Sequence, residues 1–129
     1  MKFKEYLIQE EVTYSQLNYA EDIIDALWNK LGIDVKFSRH FIDRVNDSRN
    51  GKPINVDEII ALFKKEYMEY GQVIKQLSDD DEAVMKDLFS KLNLPFAMND
   101  KKDGEKELVA KTIMRKPTFH TSSKEFKVK

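Results

Sequence analysis

The spacing of apolar residues changes near Leu92, and that change limits the folds open to this chain. Upstream, apolar side chains recur mostly three and four residues apart; downstream, they alternate. The first pattern suits helices with one buried face, and the second suits half-buried strands. Helices followed by a small antiparallel sheet make an α+β plan.

Leu17, Ala20, Ile23, Ile24, Leu27, Trp28 and Leu31 form one helical stripe. Thr13 or Ser15 is its candidate cap and Gly32 its stop. Ile33, Val35 and Phe37 alternate with Asp34 and Lys36, so a short strand comes next. Ser38 is placed to cap a helix over Arg39–Asn46, and the Asn-Gly and Pro within Asp47–Pro53 predict a loop. Asn55 caps the longest helix, whose stripe is Val56, Ile59, Ile60, Phe63, Tyr67, Ile74 and Leu77, with Gly71 expected to weaken or bend it.

After a break at Ser78–Asp81, Ala83, Val84, Leu88, Phe89 and Leu92 predict another short helix. Leu94, Phe96 and Met98 then predict a strand, which Pro95 assigns to a sheet edge. The polar turn Asp100–Lys106 leads into Glu107–Arg115, expected to fold back as a hairpin until Pro117. Phe126 and Val128 predict a last strand.

At 129 residues the chain is long enough for one domain, expected over 13–129 after a short amphipathic segment over 1–12. It has no cysteine, which excludes disulfides and thiolate metal sites. Its apolar runs are too short for a membrane span, and no secretory signal is visible, so no membrane partner is expected. The net charge of −1 conceals an asymmetry: residues 1–100 carry 13 basic and 19 acidic side chains, and residues 101–129 carry 9 and 4. Lys36–Lys52 is also basic, with five cations against Asp43 and Asp47. If these two regions meet, they form a basic patch suited to a phosphate-bearing partner. Otherwise each is an ordinary solvated face.

The segment Phe37–Gly51 holds one of the two histidines and three arginines. On a helix from Arg39, His40 and Arg44 are neighbours, and Asp43 is close enough to orient the histidine. An imidazole that exchanges protons beside a guanidinium that holds phosphate suits phosphodiester cleavage. The same spacing also suits a packed histidine with Arg44 paired to Asp43 or Asp47. A second cluster comprises Lys111, Thr112, Arg115, Lys116, His120, Thr121 and Ser122, either a site or a strand edge guarded by cations. No metal-binding spacing and no Gly-rich phosphate loop occurs, so no cofactor is expected.

The opening Ser38-x-His40-x-x-x-Arg44, the further Arg49, a second helix and a C-terminal sheet resemble the small nucleases and toxins of the barnase, colicin-nuclease and RelE-like fold. The resemblance covers Phe37 to about Val128, with the long helix a departure from it. It implies that His40 acts as acid or base, that Arg44 and Lys111 hold phosphate, and that Thr121 or Ser122 meets the substrate. Arg39, Arg49, Arg115, Lys116 and His120 would add nucleic-acid contacts. The strings HFIDRVNDSRNGKPI, LPF and LVAKTIMRKPTFHTS are similar to a domain that recurs in marine tailed phages. MKFKEYLIQE resembles the capsid-targeting peptides of T-even-like phage head proteins, with Ile8-Gln9-Glu10 as the cleavage signal.

These resemblances imply a phage-encoded RNA-binding protein, RNA being favoured over DNA, with metal-independent ribonuclease or toxin-like activity in the host cytoplasm. The rival expectations are an internal virion protein that binds packaged DNA or a head protein, and an inhibitor of a host protein acting through the long helix.

Overall fold

The computed structural model describes residues 11–129. The segment 1–10, including Ile8-Gln9-Glu10, lies outside the described residues. Helix α1 spans Tyr14–Trp28, with Thr13 and Gln16 forming a reciprocal cap at its start. It tightens into a 3-10 turn, Asn29–Leu31, and ends at Gly32 in the left-handed region, φ 77°. Strand β1, Ile33–Phe37, leads to the short helix α2, Arg39–Val45, whose first turn is capped by Ser38. Helix α3 spans Val56–Lys75, with Asn55 and Glu58 as its reciprocal cap. Five strands follow: β2 Glu82–Asp87, β3 Leu92–Asp100, β4 Lys106–Ala110, β5 Met114–Arg115 and β6 Lys124–Val128.

The fold is α+β: three helices and a six-stranded sheet of order β1-β4-β3-β2-β6, with β5 beside β3. The sheet is mixed and not purely antiparallel, because β1 runs parallel to β4 and β6 parallel to β2. Parallel neighbours need long crossovers; α2 and α3 lie within the first, and the β3–β5 region within the second.

Alternate residues of the strands, including Val35, Met85, Leu94, Phe96, Met98, Leu108 and Phe126, join Leu17, Trp28, Ile59 and Phe63 from the helices in one buried core. Trp28 meets Phe63 and Tyr67 edge-on across the α1–α3 contact. Helix α3 runs unbroken through Gly71, where an added Cβ would lie 2.8 Å from Leu31 Cδ1. Here the glycine permits close packing and introduces no bend. No helix among the described residues is long and apolar enough to cross a membrane.

Two expectations are corrected. The helix predicted around Ala83–Leu92 is strand β2 followed by a tight turn. Ala83 and Met85 enter the core while Lys86 faces away. Asp87 Oδ1 then accepts from the amides of Phe89 and Ser90, and Lys91 adopts φ 66°, which no right-handed helix permits. The second correction concerns Pro95. Strand β3 lies in the middle of the sheet and not at its edge. The Pro95 carbonyl accepts from the Lys111 amide, just where β4 has ended and before β5 begins. The missing N–H thus faces a gap in the ladder, which is how a central strand tolerates proline.

Candidate phosphate-binding surface

Asn50 and Arg115 join the two basic regions of the sequence. Asn50 is buried; its Nδ2 donates to the carbonyls of Arg44 and Val45, and its Oδ1 accepts from the Arg115 amide at 3.1 Å. Buried Asn93 performs the matching task from β3, donating to the carbonyls of Lys91, Met114 and Lys116. The end of α2, the 3-10 turn Ser48–Asn50 and strand β5 therefore meet around one concavity of about 290 Å³. Arg44, Asp47, Arg49, Asn50, Thr112 and Lys116 are among its lining residues.

Asp47 is shared by two arginines, Arg44 at 3.3 Å and Arg49 at 2.8 Å. The Arg49 side chain is 71% exposed, so its ion pair is readily exchanged for a ligand's oxygens. Lys116 is exposed and has no carboxylate partner among the described residues. Three cations against one carboxylate leave the rim positive.

Arg115 lines the same concavity but has no donor left for a ligand. Its Nε donates to the Lys52 carbonyl, Nη1 to Glu58 and the Ser90 carbonyl, and Nη2 to Glu58 and the Pro53 carbonyl. All five N–H groups of the guanidinium are thus occupied. The expectation that Arg115 contacts nucleic acid is corrected: it holds the floor in place. Burial works against the charge on Glu58, yet the Arg115 hydrogen bonds and charge outweigh it and hold the carboxyl below its ordinary range.

His40 stands exposed on the first turn of α2. It borders a second, shallow depression of about 500 Å³ with Ser38, Pro95, Val109, Lys111 and Thr112. The Ser38 hydroxyl, which caps α2, also donates to the Lys111 carbonyl at 2.9 Å and fixes the helix start against the end of β4. His40 and Lys111 therefore share a surface, and Thr112 borders both depressions. Lys111 Nζ bonds Glu82 at 2.6 Å in a solvent-exposed pair. Asp43 makes no hydrogen bond to His40; it borders a different groove with Val12, Tyr14 and Asn46.

The structure does not bring the remaining candidates to either depression. Arg39 is exposed on α2 and lines neither. His120, Thr121 and Ser122 lie in the loop before β6, with Thr121 Oγ1 accepting from the Ser123 amide. Lys86 donates to the Phe119 carbonyl and places this loop over β2, away from the end of β4. Asn50 and Asn93 were not singled out by sequence, because Asn-Gly and a lone asparagine in a strand read as turn and surface. Among the described residues no group of His, Cys, Asp and Glu side chains is arranged to hold a metal ion.

No family model, curated protein or solved structure matches the chain.

Proposed function

We propose that this chain binds nucleic acid through its phosphates, RNA in preference to DNA, and that His40 serves strand cleavage. The observation that carries this reading is the convergence of Arg44, Arg49 and Lys116, from three segments distant in sequence, on one concave surface. Such a rim exchanges its counterions for phosphate oxygens and gains affinity as salt falls.

RNA is favoured because it carries its own nucleophile, the 2′-hydroxyl. His40 takes the proton from that hydroxyl, the 2′-oxygen bonds to phosphorus, and the 5′-oxygen leaves with a proton from water. Arg44, four residues from His40 on α2, and Lys111, in the same depression, supply positive charge to the phosphate. Incubating a labelled single-stranded RNA with the wild type and with His40→Ala tests the reading. Cleavage by the wild type, lost in the variant without loss of binding, supports it. An RNA left intact by both removes the catalytic part.

The packaging reading rests on Ile8-Gln9-Glu10. A virion-derived peptide starting at Glu11 would support it, and absence of the protein from virions would end it. The inhibitor reading relied on an exposed apolar face along α3. Met68 and Val73 are the exposed large apolar residues of that helix, and they do not form a stripe.

A further inference from the structure

Phe89 is 83% exposed although nothing about the turn that carries it is loose. Asp87 Oδ1 accepts from the amides of Phe89 and Ser90, and Lys65 holds the other Asp87 oxygen at 2.8 Å. The Leu88 amide donates to the Val128 carbonyl, the Lys91 amide to the Asp87 carbonyl, and Arg115 to the Ser90 carbonyl. The aromatic ring is therefore presented to solvent from a backbone fixed on every side. Its exposure means that the core does not need it.

Its surroundings are cationic. Lys91 follows it by two residues, and the Lys91 carbonyl accepts from the Lys116 amide at 2.9 Å. Lys116 in turn lines the basic concavity. The nearby carboxylates are committed: Asp87 to Lys65 and the turn amides, Glu58 to Arg115. A rigid aromatic face beside a positive groove matches what single-stranded nucleic acid offers, a charged backbone with unpaired bases that stack. A duplex keeps its bases stacked within itself and presents no such face.

From this we infer that Phe89 is a stacking platform for one base of a single strand whose phosphates run through the Arg44–Arg49–Lys116 concavity. The inference rests on the proposed nucleic-acid binding and adds its substrate class, single strands over duplexes. The ring's partner is aromatic, so an aliphatic side chain of similar size does not replace it.

The test uses the full chain and a labelled 2′-O-methyl oligoribonucleotide, which cannot be cut through its blocked 2′-oxygen, both as a single strand and as a duplex. Phe89→Ala and Phe89→Leu are expected to lower single-strand affinity about 5- to 100-fold without changing its salt dependence. Duplex affinity is expected to stay unchanged. Phe89→Trp is expected to retain single-strand binding, and its emission to be quenched on binding, whereas the one native tryptophan, Trp28, is buried and reports separately. Wild-type affinity in Phe89→Leu, or equal losses on single strand and duplex, would overturn the inference while leaving phosphate binding intact. Failure of the wild type to bind either form would overturn both.

Discussion

Arg115 and Glu58 form a two-pronged ion pair beneath the basic concavity, Nη2 to Oε1 at 2.7 Å and Nη1 to Oε2 at 3.1 Å. The pair joins β5 to the first turn of α3, and the same guanidinium takes up the carbonyls of Lys52, Pro53 and Ser90. Both side chains are largely shielded from water, 10% and 21% exposed. One arginine thereby locks the capping box of α3, the loop before it and the Phe89 turn into one unit.

Arg115→Met should therefore act on folding first. Removing one partner of a buried pair costs about 3–5 kcal/mol, because the other charge stays behind without compensation. Thermal unfolding should show a fall of about 10 °C or more. Adding Glu58→Gln to Arg115→Met should recover part of the loss, since the stranded carboxylate is then gone. The Glu58 carboxyl is held below its ordinary range in the folded state. Its stabilisation is present above the unfolded value of 4.5 and is lost as pH falls through the lower folded one. Glu58→Gln should therefore flatten the acid limb of the stability curve. An unchanged melting temperature in Arg115→Met would contradict this role.

Glu66 gives the opposite sign. It lies fully buried in α3, and neither carboxylate oxygen has a hydrogen-bond partner. Burial, with Glu69 and Asp87 nearby, pushes its carboxyl up from 4.5 to about 9. The folded state keeps its proton while the unfolded state releases it above 4.5, so stability falls as pH rises from about 4.5 to about 9. Glu66→Leu should raise the melting temperature at pH 8 by several degrees and leave it little changed at pH 4. Equal shifts at both values would indicate a packing effect alone.

The exposed edge of β1 is blocked by carboxylates of α1. Asp25 Oδ1 accepts from the Val35 amide at 2.8 Å, and Glu21 Oε2 from the Phe37 amide at 2.7 Å. An edge strand with free amides is a template for pairing with another chain. The double substitution Glu21→Ala and Asp25→Ala should cost about 2–5 kcal/mol, two hydrogen bonds to charged groups. It should also promote self-association, visible as higher-mass species in gel filtration with light scattering. A monomer of unchanged stability would argue against the edge-blocking role.

The sequence displayed the helices plainly because their caps and stripes are local. Thr13, Ser38 and Asn55 each accept from the backbone three residues on, as their types and positions suggested. Strand β1 was legible for the same reason, by its alternation. What failed was Glu82–Lys91. The adjacent apolar residues Ala83, Val84, Leu88 and Phe89 can be read at helical spacing, whereas pairing with β3 and β6 decided for a strand. Pro95 misled because the gap between β4 and β5 is a property of the ladder and not of its neighbours. In the candidate site, charge asymmetry pointed to both basic regions. That they meet depends on Asn50 and Arg115, whose partners lie 5 to 65 residues away.

The most direct measurement of phosphate binding is the salt dependence of affinity for a short single-stranded RNA, compared between the wild type and Arg49→Ala/Lys116→Ala. Both substituted side chains are exposed, so the fold should be unaffected. The wild type should bind more weakly as salt rises, with log K falling linearly against log salt. The double variant should bind more weakly at every salt concentration, its slope shallower by roughly 2, one for each lost phosphate contact. Wild-type and variant lines that coincide, or no binding by the wild type at low salt, would contradict a phosphate-binding role for this surface.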